Sequence, residues 1–457
     1  MAGMAVDGLV SGLDTTNLIN QLVAAEGATQ SALKTRLKGT ETAASAYRTV
    51  NTTYLAVTTA AENLLKPETW NATRATSSAT SVAAAATTGA TPGSLTFAVK
   101  NLATTHSQVS TGRWASTTAA ANVTTLDVKN ADGTSRGTVP LTGTESLAEV
   151  ASKINSAKLD LAASVVKVKD GEFALQVTST KSGAAAGFSL SGGSAFADTS
   201  TGKDAQLVIG SGAGAYSVYS STNVFDGLMG GTTITVSKVE ADPVTVSVVS
   251  DPDSIAAKMQ ALVDAVNSAL TQTKSYTSSA PGSTAALKGD YTLTSLASSV
   301  LSTVATGVGK DGSVAKLGLE LTKDGKLSFD KAKFLTAVKE TPELAKRMVF
   351  GTTASNGADG AVGGGDDVAA VTGLAGRLLS LSKGASDSTT GTIVGLANGQ
   401  DTLGKDLTKR IEEWDLRLQM RRQTLTRQFT AMETALSKLQ SQSSWLGGQL
   451  ASLPSSS

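Results

Sequence analysis

The sequence predicts an α+β multidomain protein, with antiparallel terminal helical arms, a helical domain, and mainly β domains inserted in the middle. Three observations predict it. From about Asp401 to Leu446, Ile411, Leu418, Leu425, Met432 and Leu439 recur every seven residues. A period of 3.5 is a seam for another helix. Near the other end, Leu33, Leu37, Thr40, Ala44, Tyr47, Asn51, Tyr54, Thr58, Ala61 and Leu65 step by four and three in turn. Between the arms, residues 71–250 change to two-residue alternation broken by Gly, Pro and Asp, the pattern of strands and turns.

The C-terminal seam has a second stripe. Leu407 and Trp414 begin it, Arg421 interrupts it, and Phe429 and Leu436 resume it one position over. Such a shift changes the drift of the seam locally. A helix of about 45 residues would be about 68 Å long, beyond a usual globular helix, and needs a partner. The N-terminal stripe is that partner. Half its positions are small or polar, so the joint is expected to be weak and hydrated in places. Lys66-Pro67 is expected to end the arm.

Composition narrows the function. The 457 residues suffice for three or four domains. With 39 basic and 38 acidic residues, and only 17% charged, nothing electrostatic favours nucleic acid. There is no cysteine, which excludes disulfides and thiol chemistry. The opening MAGMAVDGLVSGLD lacks the basic and apolar regions of an ordinary secretory signal. No run of 18 apolar residues suggests a membrane span. The profile suits an extracellular or assembly protein.

In chain order, Asp14 is expected to cap a short helix with Leu18, Ile19, Leu22 and Val23 on one face. This segment is expected to order on assembly. Residues 71–93 read as a small, polar stretch ending in a turn. Leu95, Phe97 and Val99 alternate as a strand, and 123–129 as another. Leu147, Val150, Ala151 and Ile154 mark a helix, and a hairpin turns at Asp170-Gly171. Gly-rich loops are expected up to Asp204. Strands return over 205–250, with Asp242-Pro243 as a break between two of them. Asp253 is expected to cap a helix carrying Ile255, Met259, Leu262, Val263, Val266 and Leu270. Residues 291–309 are another helix. Residues 317–350 form a hairpin about Asp324-Gly325 followed by two helices, the second opened by Pro342. A loop over 351–372 precedes a helix and then the terminal arm.

The division follows. Residues 1–32 are the assembly-ordered N-terminal segment; 33–70 with 253–400 form the helical domain. Residues 71–117 with 205–250 form an inner β domain, and 118–204 an outer inserted β-rich domain. Residues 401–446 are the long C-terminal helix, and 447–457 a frayed tail.

Little in the sequence supports catalysis. The sole histidine, His106, stands in a Thr/Ser-rich stretch and reads as an incidental surface residue. GSGAG at 210–214 has the wrong spacing for a dinucleotide fingerprint, and no phosphate-cradling loop ends in Lys-Ser/Thr. Asp366-Asp367 follow three glycines and read as solvated rather than calcium-binding. Around the seam, Lys409, Arg410, Glu412, Glu413, Asp415, Arg417, Arg421, Arg422 and Arg427 can select partner and orientation, or merely solubilise.

Four stretches resemble the flagellar filament cap family, the hook-associated protein 2 family. The first is AVDGLVSGLDTTNLINQLVAAE, with Leu13, Asp14, Ile19, Leu22 and Glu26. The second is INSAKLDLAASVVKVKDGEFALQVTSTKSG (154–183), the third GLELTKDGKLSFDKAKFLTAV (318–338), and the fourth RRQTLTRQFTAMETALSKLQSQSSWL (421–446). They lie in the expected order over nearly the whole chain. Two positions depart from the usual pattern. Gly27-Ala28-Thr29 follow Glu26 where the family often has Arg and Pro, and Arg421-Arg422 stand where an acidic residue is frequent. The resemblance implies helical legs entering the filament and β head domains forming a plate over its tip. It implies a homo-oligomeric ring, contacts with flagellin and hook–filament junction proteins, and exit through the flagellar type III export apparatus with an export chaperone. It implies no enzyme activity and no cofactor. The seam residues Leu33, Leu37, Tyr47, Tyr54, Leu65, Leu407, Ile411, Trp414, Leu418, Leu425, Phe429, Met432, Leu436 and Leu439 are then the expected assembly elements. A hook–filament junction protein would share the arms and the route but remain as a collar. A surface adhesin would explain the Ser/Thr/Gly-rich β region but not the paired arms.

Overall fold

The computed structural model describes residues 12–353 and 370–451. The chain forms two compact units, residues 1–65 with 256–457, and residues 66–255. Its helices are α1 (Thr15–Glu26), α2 (Ala28–Leu64), α3 (Pro67–Trp70), α4 (Leu147–Ser156), α5 (Pro252–Thr277), α6 (Tyr291–Ala305), α7 (Lys331–Glu340), α8 (Pro342–Val349), α9 (Leu374–Ser386) and α10 (Thr392–Ala451). Terminal helices with β sheets inserted between them make an α+β architecture, as the periodicities predict.

Among the described residues, the first unit is helical apart from short turns and two short antiparallel strand pairs. Asp14 caps α1 by accepting from the Asn17 amide at 2.8 Å. Gly27 follows with α-helical φ and ψ, so the chain passes from α1 into α2 with one residue between them. Pro67 does not simply stop the arm: α2 ends at Leu64, and Pro67 opens α3 from the first helical position. In α5 the expected apolar face is buried throughout, from Ile255 to Leu270. Its cap differs from the expectation. Asp251, not Asp253, accepts from the Ser254 amide at 3.3 Å, because Pro252 takes the first helical position. Asp290 and Asp330 cap α6 and α7. The hairpin Leu319–Leu321 with Leu327–Phe329 turns at Gly325 with φ 72°. Pro342 opens α8. Gly351–Thr352 pairs with Val371–Thr372. Asp366-Asp367 lie outside the described residues.

The last helix exceeds the spacing-based estimate at both ends. It spans 60 residues, about 90 Å at 1.5 Å per residue. Gly395 and Gly399 lower helix propensity before Asp401, but buried Ile393 and Ala397 hold that first part in place. Helix continues through Gly447-Gly448 to Ala451.

The second unit carries, in order, β1 (Thr73–Ser77), β2 (Val82–Ala86), β3 (Gly93–Asn101), β4 (Thr105–Ser110), β5 (Thr125–Asn130), β6 (Ser135–Pro140), β7 (Leu161–Lys169), β8 (Glu172–Ser182), β9 (Phe188–Ser191), β10 (Phe196–Ser200), β11 (Ala205–Ile209), β12 (Tyr216–Ser220), β13 (Val224–Asp226), β14 (Thr232–Val236) and β15 (Glu240–Ser250). Its sheets run β1-β15-β3-β11-β12, β13-β14-β2, β10-β4-β8-β7 and β6-β5-β9.

Two hydrophobic cores form. One gathers Phe97, Val99, Leu207, Phe225, Ile234 and Val246. The other gathers Leu126, Val128, Val139, Leu175, Val177 and Phe188 beneath the buried face of α4, which is Leu147, Val150, Ala151 and Ile154. Two neighbouring segments pass from one to the other. There Thr104 bridges Lys203, and the Gly183 amide donates to Thr104 O at 3.1 Å. A Cβ on Gly202 would stand 2.6 Å from Gly183 O, so only glycine fits that crossing.

Four expectations change here. β1 and β2 lie in the stretch read as merely small and polar. β9 and β10 lie in the stretch read as Gly-rich loops. Asp242-Pro243 does not separate two strands: it sits in a register shift within β15, between Glu240 and Val244, where proline is tolerated. His106 is buried rather than on the surface. Its ring meets Phe188 edge-on at 4.8 Å, and Nε2 lies 3.2 Å from Asp198 Oδ1.

Candidate assembly interface

The site is built from the terminal arms. Three polar pairs give their direction. Arg48 pairs with Asp401, Gln30 Nε2 donates to Ile411 O at 3.4 Å and to Asp415 Oδ1, and Arg421 Nε donates to Glu26 Oε1 at 2.8 Å. Positions rise along α1 and α2 as they fall along α10, so the arms are antiparallel. Gln30 continues the 4–3 stepping one step, three residues, before Leu33. The step itself marks it, although its side chain is polar.

The predicted seam residues are not all equivalent. Tyr47, Tyr54, Leu407, Ile411 and Leu425 are buried. Leu33, Leu37, Leu65, Trp414, Leu418 and Phe429 are half-buried. Met432, Leu436 and Leu439 are exposed, the last at 61%. In the N-terminal segment Ile19 is buried, Leu13 and Leu22 are exposed, Asp14 is the cap, and Glu26 holds Arg421. Arg417 lies over the Trp414 ring, 5.0 Å from its centroid, a cation–π contact.

The break in the second stripe has a structural counterpart. Arg421, the residue that interrupts it, pairs with Glu26 at the end of α1, next to the one-residue α1–α2 junction at Gly27. A Cβ on Gly27 would lie 3.7 Å from Leu418 Cδ1. The irregularity in one arm thus sits opposite the change of helix in the other. Gly27-Ala28-Thr29 and Arg421-Arg422 thus fall at this one place.

The arms do not pair along their whole length. The later half of α2 packs on α9 as well as α10. Thr58 Oγ1 meets Ser382 Oγ of α9 at 3.0 Å. Tyr47 donates to Asp290, the cap of α6; burial and that carboxylate both push the Tyr47 hydroxyl pKa up. Asn51 Oδ1 is buried without a hydrogen-bond partner among the described residues. Where Thr40, Ala44 and Gly404 face one another, an open groove of about 480 Å³ remains, also lined by Leu37, Lys405 and Glu412. Tyr47 and Tyr54 are buried, and the joint between the arms is loose beside Thr40. Beyond Glu433, α10 is exposed among the described residues, carrying Leu436, Leu439, Trp445 and Leu446.

Among the described residues no three His, Cys, Asp or Glu side chains are grouped to hold a metal, and no helix is long and apolar enough to cross a membrane. Long paired terminal helices around inserted antiparallel sheets define a structural, assembly-type protein. The comparisons specify which. Residues 202–441 match the profile of the flagellar hook-associated protein 2 C-terminus, and residues 11–106 that of its N-terminus. The chain belongs to the flagellar hook-associated protein 2 family.

Flagellar hook-associated protein 2 of Escherichia coli K12 is 26% identical over 98% of both chains. The A-type protein of Pseudomonas aeruginosa is 28% identical over 98% of both. The fold is shared with the crystal structure of the D1–D2–D3 domains of the Escherichia coli flagellar cap protein, with a TM-score of 0.57 over 78% of this chain and 99% of that one. Family membership makes this a non-enzymatic structural protein of the bacterial flagellum.

Proposed function

We propose that this protein caps the tip of the growing flagellar filament and promotes insertion and folding of exported flagellin. The observation that carries the reading is the apolar stripe of α10 beyond Glu433, from Leu436 to Leu446, exposed among the described residues. A helix face of this kind is a contact surface, and here it lies at the end of a long arm suited to entering a helical filament. Several subunits would close into a ring, with the β domains as its plate. Hook–filament junction proteins, the type III export apparatus and an export chaperone are the further partners. The looseness at Thr40, Ala44 and Gly404 supports a leg that repacks as the cap moves, since a tightly packed apolar seam would resist such shifts.

A deletion strain tests the reading. Loss of a cap releases unpolymerised flagellin into the medium. Loss of a junction protein instead leaves filaments that form but do not stay on the hook, and that outcome would overturn the proposal.

A further inference from the structure

The second unit contains an open cleft of about 810 Å³ that the filament-tip reading does not use. Its lining carries three cations, Arg136, Lys158 and Lys181, against one carboxylate, Asp160, leaving two positive charges uncompensated. Lys181 Nζ holds Asp160 at 2.8 Å. Lys158 makes no ion pair among the described residues. Arg136 is set in advance. Its Nε donates to Asn130 Oδ1 at 2.7 Å and one Nη to Gly187 O at 3.3 Å, so the guanidinium plane is fixed while other N–H donors remain.

The backbone at the cleft is unusual in a way that bears on this. Lys158 and Asp160 both have φ of 53°, and these with Asn122 are the non-glycine residues of positive φ among the described residues. Such conformations persist where the surroundings over-determine them, and they gather at ligand sites. Two contacts hold this turn. The Thr180 amide donates to Asp160 O at 2.9 Å. Leu159 lies against Gly137, where a Cβ would stand 2.8 Å from Leu159 Cδ2. The far wall comes from the loop after β12, tied across by Ser182 Oγ donating to Ser221 O at 2.7 Å. A fixed guanidinium, an unpaired ammonium and a hydroxyl-bearing wall suit a tetrahedral oxyanion.

We infer that this cleft binds a tetrahedral oxyanion of sulfur or phosphorus, either free as the dianion or carried on a polymer as an ester. The charge excess matches a dianion, and the arginine fork supplies paired donors. The inference is independent of the role at the filament tip.

Calorimetric titration of the full-length protein with sodium sulfate and with inorganic phosphate, at low ionic strength and against a chloride control, tests it. One saturable site is expected. Arg136→Gln should weaken binding about tenfold. Lys158→Gln, an exposed change that leaves the turn's hydrogen bonds in place, should weaken it about two- to fivefold. Asp160→Asn should tighten it, since asparagine accepts left-handed backbone and frees Lys181. A sulfated oligosaccharide that binds more than about tenfold tighter than sulfate assigns the group to a polymer; equal affinity assigns it to the free ion. Absence of saturable binding, or affinity unchanged in Lys158→Gln, overturns the inference.

Discussion

At the residue scale, short polar side chains did much of the local work, and the cap at Asp14 was readable. Asp14, Asp290 and Asp330 each stand one residue before a helix and accept from an amide three residues on. Asp253 failed for a local reason, because Pro252 moved the cap to Asp251. His106 failed for a distant one. Its cover comes from Phe188, more than eighty residues on, and no local pattern announces that. Glu145 is another residue whose role needed the fold. Its carboxylate accepts from the amides of Thr142 and Gly143 and pairs with Lys153. The Lys153 ammonium first, and the Thr142 amide next, draw its pKa from 4.5 down to about 2. A carboxylate depressed in this way adds stability that is complete above about 4.5 and is lost as the pH falls toward about 2. Lys153→Met should therefore narrow the gap in melting temperature of the second unit between pH 6 and pH 3, as followed by circular dichroism. An unchanged gap would remove Lys153 as the cause.

At the element scale, the heptad stripe of α10 and the 4–3 stepping of α2 were legible because burial against a partner imposes its period on a helix. Even the fault at Arg421 was legible, though its meaning was not: it needed Glu26 and the one-residue junction between α1 and α2. Strands were recognised where branched and aromatic residues alternate, as in β3. They were missed where the strand is Thr, Ala and Ser, as in β1 and β2, because their order comes from neighbours. β1 lies on β15 and β2 on β14. The loose joint makes a prediction at this scale. Gly404→Ala places a Cβ 3.7 Å from Leu37 and 3.8 Å from Thr40, ordinary contact distances. Replacing an interior helical glycine should then stabilise the first unit by roughly 0.5–1 kcal/mol. Thr40→Leu, which fills the same groove, should likewise hold or raise stability by chemical denaturation. Both should slow filament growth if repacking of the leg matters; growth at the normal rate would sink that idea. Thr58→Leu is a poorer probe than its place in the stepping suggests, because Thr58 meets Ser382 of α9 rather than α10.

At the scale of the whole molecule, the exposed end of α10 is the feature most open to test. Removing residues 434–457 takes away a helix end that is exposed among the described residues while sparing buried Leu407, Ile411 and Leu425. The shortened chain should melt within a few degrees of the full chain, since surface deletions cost little stability. It should lose ring-sized species in native mass spectrometry and fail to restore motility to a deletion strain. Rings that persist after the deletion would move the subunit contacts to other surfaces.

The sequence by itself determined the fold class, the antiparallel arms and the place of the inserted β region. Those properties follow from periodicity, which a single helix or strand carries within itself. It also determined the family, through motifs spread in order along the chain. The tertiary structure alone decided which seam positions are covered, where α9 joins α10 as a neighbour of α2, and that Arg136, Lys158 and Lys181 share one cleft. Burial and charge convergence join residues far apart in the chain, and no local period encodes such distances.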